Sequence, residues 1–304
     1  MPVPATARCL ALDMDGTVCT SSNTVSPATV EALTAFSASG GTVLVATGRS
    51  VSAATEVVDK FLSGVVEYCV CMDGAVIVQA PDWRVVHRDG SSGGQMATLL
   101  GEIRAAIPSL HIGAHPLTAY DEVEFVSSET HNELLRASGS AMARSILARS
   151  DCRVSDDFLA EVRGKAGAVV GWFRLLHEQG VDASLLERVE PIVAKFNATH
   201  DTQMKIYASS IAGAVMLRNG GVSKADGLQK MCELLEGGLS APDFCVFGDE
   251  DNDWEMFEWA GHSIAPSNAS EGTQQRAAEV SELSHDEDFI AKALQTAAPV
   301  ESKL

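Results

Sequence analysis

The stretch Asp13-Met14-Asp15-Gly16-Thr17 constrains the fold more than any other part of the chain. It follows Cys9-Leu10-Ala11-Leu12, a continuous apolar run that is typical of a parallel strand buried on both faces. Gly16 lets the backbone turn at the strand end and approach a ligand closely. Asp13 and Asp15 repel each other there unless a divalent cation neutralises them or one holds a proton. Taken alone, the stretch also fits an ordinary acidic turn, because Asp and Gly are common turn formers.

Three further polar clusters follow predicted strands in the same way. Thr42 to Ala46 and Phe244 to Phe247, for example, are apolar runs that lead into small polar residues and then into helical patterns. In an open parallel sheet the carboxyl ends of the strands gather at one edge, where ligands bind. We therefore predict an α/β fold with a doubly wound, Rossmann-like parallel sheet. Its ligand edge is predicted to carry the clusters Thr47-Gly48-Arg49, Gly220 to Lys224 and Gly248 to Asp253.

The middle of the chain has a different pattern of predicted helices and strands. Up to about residue 88, strand and helix patterns alternate, and 75–88 reads as a hairpin. From 89 to 207, helical stretches alternate with short β-rich runs, none of which ends in a small polar cluster. We predict a catalytic core made of 1–88 and 208–304, interrupted by an inserted α/β cap over 89–207 that sets substrate specificity.

Composition narrows the possible partners. The formal net charge of -19 argues against binding to nucleic acid or to an anionic membrane, because either needs a basic face. A negative field also repels phosphate-bearing ligands, so a phosphate site requires local cations or a metal such as Mg²⁺. Seven cysteines without a CxxC pair fit a reducing compartment. The sequence shows neither a signal peptide nor an apolar run long enough to span a bilayer.

The last three residues, Ser302-Lys303-Leu304, match the tripeptide that the peroxisomal import receptor reads. They follow Ala297-Ala298-Pro299, which should end a helix and leave the tripeptide exposed. In a eukaryotic source we expect import into the peroxisomal or glycosomal matrix. In a bacterial source the tripeptide carries no meaning and a cytoplasmic location is expected.

The residue types at the predicted sheet edge suit phosphoryl transfer. Its loose transition state spreads charge over three oxygens, which a divalent ion, a lysine and hydroxyl or amide donors stabilise. A carboxylate can attack phosphorus and form an aspartyl phosphate, which divides the reaction into two steps. A second carboxyl can protonate the departing oxygen and later accept a proton from water.

These motifs resemble those of the haloacid dehalogenase superfamily in its phosphatase form. The resemblance rests on the sequences DMDGT, TGR, GVSK and GDEDND, in that order, with a large insertion between the second and the third. The spacing is similar to that of the Cof-type branch (subfamily IIB), whose members carry an α/β cap. The first and fourth motifs are specific together, and the match covers about 1–88 and 208–304.

The resemblance implies roles for the acidic residues. Asp13 becomes the nucleophile, and Asp15 the general acid and base. Mg²⁺ is expected to bind Asp13, the backbone carbonyl of Asp15 and Asp249, with Asp253 orienting waters or ligands around it.

The resemblance also implies how a small phosphorylated metabolite is bound. Thr47 and Gly48 are expected to hold phosphoryl oxygens, and Lys224 to neutralise charge on the phosphoryl group and on Asp13. Asn252 is expected to reach the substrate phosphate or the lysine. Gly16 and Arg49 complete the expected substrate-binding set.

Two positions depart from the pattern of the family. Relatives usually carry Asn-Gly-Ala after the third strand, whereas this chain has Asp73-Gly74-Ala75, which is expected to add negative charge near the mouth of the site. The glycine that usually follows the third-motif lysine is Ala225 here. Neither departure touches the four core motifs, so we expect an effect on substrate preference rather than on catalysis.

Together these features predict a Mg²⁺-dependent phosphatase that hydrolyses a small phosphate monoester, such as a sugar phosphate, through an aspartyl phosphate. Dehalogenation is disfavoured because it needs no acid at the position of Asp15. A phosphomutase uses the same intermediate, but phosphomannomutases with this layout carry an Asn-Gly-Met-Leu-Asn cap motif that this sequence lacks. A non-catalytic phosphometabolite-binding protein ranks last, because all four motifs are intact.

Overall fold

The computed structural model describes residues 3–119, 122–127, 129–138, 152–155, 157–164, 168–169, 172–177, 183–209, 214–219, 222–235 and 237–295. The chain divides into two compact units, one made of Met1–His87 with Val222–Leu304 and the other of Arg88–Gly221. The predicted peroxisomal tripeptide at 302–304 lies outside the described residues, and its role stays a prediction.

The first part of the chain alternates strands and helices. Its elements are β1 (Cys9–Leu12), α1 (Pro27–Ala38), β2 (Thr42–Ala46), α2 (Val51–Phe61), β3 (Val66–Cys71), β4 (Val76–Gln79) and β5 (Arg84–Arg88). A single 3-10 turn, Met72–Gly74, follows β3. All four side chains of β1 are fully buried, which explains why this strand is a continuous apolar run.

The second unit contains a separate antiparallel-dominated sheet and its helices. Its elements are β6 (Ser91–Ser92), α3 (Gly93–Ala106), β7 (Leu110–Ala119), β8 (Glu122–Ser127), α4 (Glu129–Ser138), β9 (Cys152–Val154), α5 (Phe158–Gly164), β10 (Ala168–Val169), β11 (Trp172–His177), α6 (Ala183–His200), β12 (Met204–Ser209) and β13 (Ala214–Asn219). Six of these strands form one sheet in the order β12-β13-β11-β7-β8-β9.

The chain then returns to the first unit. The remaining elements are α7 (Lys224–Leu234), β14 (Phe244–Phe247), α8 (Trp254–Trp259), β15 (His262–Ala265), α9 (Glu271–Arg276), β16 (Glu279–Val280) and α10 (Phe289–Gln295). A 3-10 turn at Asp251–Asp253 lies between β14 and α8. No helix among the described ranges combines the length and the apolar character that crossing a membrane requires.

The first unit is organised around an eight-stranded sheet in the order β16-β15-β14-β1-β2-β3-β4-β5. β1 pairs in parallel with β2 on one side and with β14 on the other, so the strand order reverses beside β1. β3 and β4 pair antiparallel, and β4 and β5, which cover the hairpin predicted over 75–88, are neighbours in this sheet. The doubly wound parallel α/β fold predicted from the sequence is confirmed. Ligands of such sheets bind at this reversal, outside the carboxyl ends of the strands.

The observed division of the chain differs from the predicted one at its second boundary. The boundary predicted from the sequence lies between 207 and 208, whereas in the structure it lies after Gly221. The reason is β13, which pairs antiparallel with both β11 and β12. Val215 and Leu217 are fully buried in the core of the second unit. An apolar strand pattern alone does not say which of two sheets it joins.

Gly227 shows how tightly α7 packs on the sheet. A Cβ atom at Gly227 would lie 2.4 Å from Val70 Cγ1 and 2.8 Å from Gly74 Cα. Alanine normally stabilises a helix interior by about 1 kcal/mol relative to glycine. Here the clash involves backbone, so we expect Gly227→Ala to destabilise the protein by about 1–3 kcal/mol in denaturant titration.

Gly101 in α3 provides the matched control for Gly227→Ala. A Cβ atom at Gly101 would meet Leu159 Cδ1 at 3.9 Å, an ordinary contact. Gly101→Ala is therefore expected to leave the free energy of unfolding unchanged or to raise it by up to about 1 kcal/mol. Equal stabilisation by both variants would show that α7 does not approach β3 so closely.

Candidate active site

Lys224 is the first residue of α7, and a capping box fixes where that helix begins. Ser223 Oγ accepts the backbone N–H of Asp226 at 3.2 Å, and Asp226 Oδ2 accepts the backbone N–H of Ser223 at 2.8 Å. This reciprocal cap satisfies two backbone donors that the helix itself leaves unpaired. The start of α7, and with it the Cα position of Lys224, is thereby set by local sequence.

The ammonium group of Lys224 joins two strand ends that are far apart in sequence. Its Nζ donates to Asp13 Oδ1 at 2.5 Å, directly after β1, and to Asp253 Oδ1 at 2.7 Å, after β14. Lys224 and Asp253 are completely buried, and Asp13 is 6% exposed. The first, third and fourth motifs therefore meet in one buried cluster.

Asp249 brings a third carboxylate to this cluster. One carboxylate oxygen each of Asp13, Asp249 and Asp253 lies within 4.8 Å of the other two. Asp249 Oδ1 accepts a hydrogen bond from Thr17 Oγ1 at 2.8 Å. Asp253 Oδ2 accepts the backbone N–H groups of Asp249 at 2.9 Å and Glu250 at 3.1 Å. These contacts hold the carboxylates in place against their mutual repulsion.

Gly16 makes room for Asp249. Its φ of +77° lies in the left-handed region, and a Cβ atom there would lie 2.1 Å from Asp249 Oδ2. Both the backbone conformation and the close approach therefore require glycine. The structure thus gives Gly16 a direct part in placing a candidate metal-ligating residue, in addition to the substrate contact that the sequence analysis expected of it.

Burial shapes the charge of the cluster. It raises the pKa of Asp13 well above its ordinary value, although Lys224 opposes this shift. Burial likewise raises the pKa of Asp249 to about 7. Burial lowers the pKa of Lys224, but the carboxylates of Asp13 and Asp253 outweigh that effect and leave it raised. Three acidic side chains share one buried ammonium group, so acidic groups outnumber basic groups in the cluster.

The donor set fits a hard divalent cation. Carboxylate oxygens are the ligands that Mg²⁺ and Ca²⁺ take in proteins, and Asp13, Asp249 and Asp253 offer three at short mutual distance. A cation there would also neutralise the excess negative charge. The predicted contribution of the Asp15 backbone carbonyl stays a prediction.

Asp15 lies apart from the buried cluster. Its side chain is 67% exposed and forms a bidentate ion pair with Arg49, whose Nε and Nη2 donate to the carboxylate at 2.8 and 2.6 Å. Arg49 Nη2 also donates to Asn23 Oδ1 at 2.6 Å. Arg49 was predicted to contact substrate, and in the structure its guanidinium group instead pairs with Asp15. Fork-shaped pairing of this kind fixes the orientation of a carboxylate.

Thr47 lies at the end of β2, as predicted, and is 1% exposed. Its backbone N–H donates to the carbonyl of Val70 at 2.8 Å, and its Oγ1 accepts the backbone N–H of Arg49 at 3.1 Å. A hydroxyl that accepts a hydrogen bond still has its own proton to donate. Gly48, between them, shares this turn, and its predicted phosphoryl contact stays a prediction.

Asn252 donates from Nδ2 to Asp73 Oδ1 at 2.9 Å. Asp73 is 1% exposed, so the carboxylate that the sequence analysis expected near the mouth of the site is buried inside it. The departure from the family pattern was visible in the sequence, but its burial was not.

Asn268 is a site residue that sequence reasoning missed. Its Nδ2 donates to the carbonyl of Gly16 at 2.9 Å, and its Oδ1 accepts the backbone N–H of His285 at 2.8 Å. Ser270, two residues later, caps the start of α9, whereas Asn268 supports the glycine turn of the first motif. No pattern in the neighbouring sequence indicates this role.

Comparison with solved structures supports the fold over nearly its whole length. TM0651 from Thermotoga maritima superposes with a TM-score of 0.73 at 19% identity, over 95% of this chain and 97% of that one. The HAD subclass IIB sugar phosphatase BT4131 superposes with a TM-score of 0.69 at 18% identity, over 95% and 98%. At such identity the likeness establishes the fold alone.

Sequence comparison reaches a relative with a named activity over a shorter stretch. A phosphoglycolate phosphatase from Methanosarcina acetivorans is 40% identical over 77 residues, which are 25% of this chain and 33% of that protein. The match thus spans about a third of that relative's length.

A family model for haloacid dehalogenase-like hydrolases matches residues 10–133 and 181–294. The matched ranges make up more than half of the chain and include every candidate site residue described above. The resemblance read from the four motifs is thereby confirmed. The chain belongs to the haloacid dehalogenase-like hydrolase family.

Proposed function

We propose that this protein is a Mg²⁺-dependent phosphatase that hydrolyses a small phosphate monoester, such as a sugar phosphate, through an aspartyl phosphate. The observation that carries the proposal is the buried contact of Lys224 with both Asp13 and Asp253. Residues of three motifs thus meet at the ammonium group of Lys224. The names of two similar proteins, a phosphoglycolate phosphatase and a sugar phosphatase, support the same reaction class.

In the first step, a carboxylate oxygen of Asp13 attacks phosphorus and the bond from phosphorus to the ester oxygen breaks. Lys224 holds the Asp13 carboxylate in position, and its charge stabilises the developing negative charge on the phosphoryl oxygens. Asp15 must take up a proton and leave its ion pair with Arg49, and it then gives that proton to the departing alcohol.

In the second step, Asp15 takes a proton from a water molecule, whose oxygen attacks the phosphorus of the aspartyl phosphate. The bond from phosphorus to Asp13 breaks, and inorganic phosphate leaves while the carboxylate is restored. Thr47 and the neighbouring Gly48 bind phosphoryl oxygens in both steps, which the buried hydroxyl of Thr47 at the end of β2 supports.

Asp13, Asp249 and the backbone carbonyl of Asp15 would hold Mg²⁺, with Asp253 orienting the waters around it. When bound, the cation supplies neutralisation of phosphoryl charge and of the crowded carboxylates. The support for this assignment is the donor set itself, since Asp13, Asp249 and Asp253 form a buried oxygen-rich cluster.

A screen of phosphorylated metabolites with and without Mg²⁺ tests the proposal. We expect release of inorganic phosphate from one class of ester, and only when Mg²⁺ is present. Interconversion of isomers without phosphate release would show that the protein is a phosphomutase and not a phosphatase. Saturable binding with neither reaction would indicate a non-catalytic binding protein.

The role of Asp15 can be tested through the leaving group. Asp15→Asn removes the proton donor, so we expect about 10²–10⁴-fold slower hydrolysis of an alkyl phosphate, whose alkoxide leaves poorly. An activated aryl phosphate needs little protonation on leaving and should lose much less in single-turnover measurements of the first step. Equal losses on both substrates would contradict a general acid at this position.

Asp59→Asn serves as the control for Asp15→Asn. Asp59 is also an exposed carboxylate, but it accepts a hydrogen bond from Trp83 Nε1 at 2.9 Å and takes no part in the site. Its substitution is expected to leave both hydrolysis rates unchanged.

A further inference from the structure

The backbone of Asp73 is tied to the second motif. Asp73 sits in the 3-10 turn after β3 with φ 53° and ψ 37°, a left-handed conformation in which Asn, Asp and Gly are the favoured residues. Its N–H donates to the carbonyl of Thr47 at 3.0 Å, and the N–H of Met72 donates to the carbonyl of Arg49 at 3.0 Å. The turn is therefore held against the predicted phosphoryl-binding loop.

The same turn contacts the third and fourth motifs. A Cβ atom at Gly74 would lie 2.0 Å from the carbonyl oxygen of Ser223, the residue before Lys224. On the other side, Asp73 Oδ1 accepts the Nδ2–H of Asn252 at 2.9 Å. Asp73 thus lies where three of the four motifs meet, although it belongs to none of them.

Asp73 also changes the charge of the site. It is buried together with Asp13, Asp249 and Asp253, whereas Lys224 is the one buried Lys or Arg among the residues whose side-chain burial the structure describes. The negative charge of Asp73 acts on Lys224. A fourth carboxylate in a poorly solvated pocket attracts a cation and repels an anion more strongly than it would in water.

We propose that Asp73 is a positioning residue that fixes the amide of Asn252 and whose charge shifts the binding preference of the site. Its carboxylate strengthens the binding of the divalent cation and weakens retention of the inorganic phosphate that the reaction produces. This inference rests on the proposed function, because it assigns Asp73 a part in binding the same cation and the same product.

Asp73→Asn separates charge from shape. Asparagine adopts the left-handed conformation, and its carbonyl oxygen can still accept from Asn252. Removal of one buried charge is expected to weaken Mg²⁺ binding by about tenfold in calorimetry of the substrate-free protein. Orthophosphate, titrated at saturating Mg²⁺, is expected to bind about tenfold more tightly than to the wild type. Asp82→Asn, in an exposed turn, serves as the control and should change neither affinity.

Asp73→Gly keeps the left-handed backbone but removes both the charge and the acceptor for Asn252. We expect the same loss of Mg²⁺ affinity as in Asp73→Asn. Asn252→Ala should weaken orthophosphate binding severalfold in the wild type and in Asp73→Asn, but much less in Asp73→Gly, where the amide is no longer held. Such non-additivity is the signature of two residues that act together.

The results separate this inference from the proposed function. Unchanged Mg²⁺ and orthophosphate affinities in Asp73→Asn, in a wild type that hydrolyses esters, would overturn the role of Asp73 alone. Additive effects of Asn252→Ala in the Asp73→Gly background would overturn the positioning role. The expected affinity shifts, in a protein that releases phosphate from no ester, would support Asp73 and refute the phosphatase.

Discussion

Replacing Asp13 with asparagine is expected to lower the hydrolysis of every phosphate ester at least about a thousandfold. The amide has nearly the same shape as the carboxylate, and its oxygen can still accept from Lys224, which lies 2.5 Å from Asp13 Oδ1. It lacks the nucleophilic carboxylate oxygen that forms the aspartyl phosphate in the proposed mechanism. Phosphate release at saturating Mg²⁺, measured on the best substrate of the metabolite screen, gives the size of the effect.

The fold of the Asp13→Asn variant should remain intact. Burial raises the pKa of Asp13, so a neutral side chain at this position removes an unfavourable buried charge. Thermal unfolding should therefore occur at the wild-type temperature or above it in the absence of metal. Retention of turnover within tenfold of the wild type, in a correctly folded variant, would show that another group is the nucleophile.

Replacing Lys224 with methionine is expected to damage both stability and activity. Lys224 is completely buried between Asp13 and Asp253, so its loss leaves two carboxylates without their cation. Removing one partner of a buried ion pair costs about 3–5 kcal/mol, and we expect a loss near the lower figure in metal-free buffer. Turnover should fall by at least about a hundredfold, because transition-state charge loses its fixed counter-charge.

Two comparisons identify the cause of the stability loss. Lys230→Met removes a partly exposed lysine that pairs with Glu233 one helical turn away, and it should change stability by less than about 0.5 kcal/mol. The double variant Lys224→Met/Asp13→Asn should regain part of the lost stability, because one uncompensated carboxylate is gone. Equal stability of Lys224→Met and the wild type in denaturant titration would contradict the buried cluster.

Mg²⁺ provides a further test of the same cluster. In Lys224→Met the proposed ligands Asp13 and Asp249 remain, and so does the neighbouring carboxylate of Asp253. A cation that binds only the folded state stabilises it in proportion to the logarithm of its concentration. Addition of Mg²⁺ should therefore restore stability without restoring the wild-type rate.

Much of the first unit could be predicted from local patterns. The continuous apolar run of β1 demands burial on both faces, and four polar clusters after strand patterns demand a shared sheet edge. Both demands come from short stretches, so they are readable without knowledge of distant residues. The confirmed doubly wound sheet and the family membership follow from them.

Side-chain partners that depend on distant segments were not readable in this way. Arg49 is 34 positions from Asp15 and Asn252 is 179 positions from Asp73, and each pair forms only when the chain folds. The pairing of Asp15 with Arg49, the burial of Asp73 and the support of Gly16 by Asn268 therefore appeared only in the structure.

The sequence by itself determined the strand-and-helix alternation, the position of the polar clusters and the family, because hydrophobic periodicity and turn chemistry act over a few residues. Only the tertiary structure decided that β13 joins the second sheet, that Lys224 bridges Asp13 and Asp253, and that Asp73 lies inside the site. Sheet membership, ion pairing and burial depend on which surfaces meet in three dimensions. Local sequence patterns do not determine which surfaces meet.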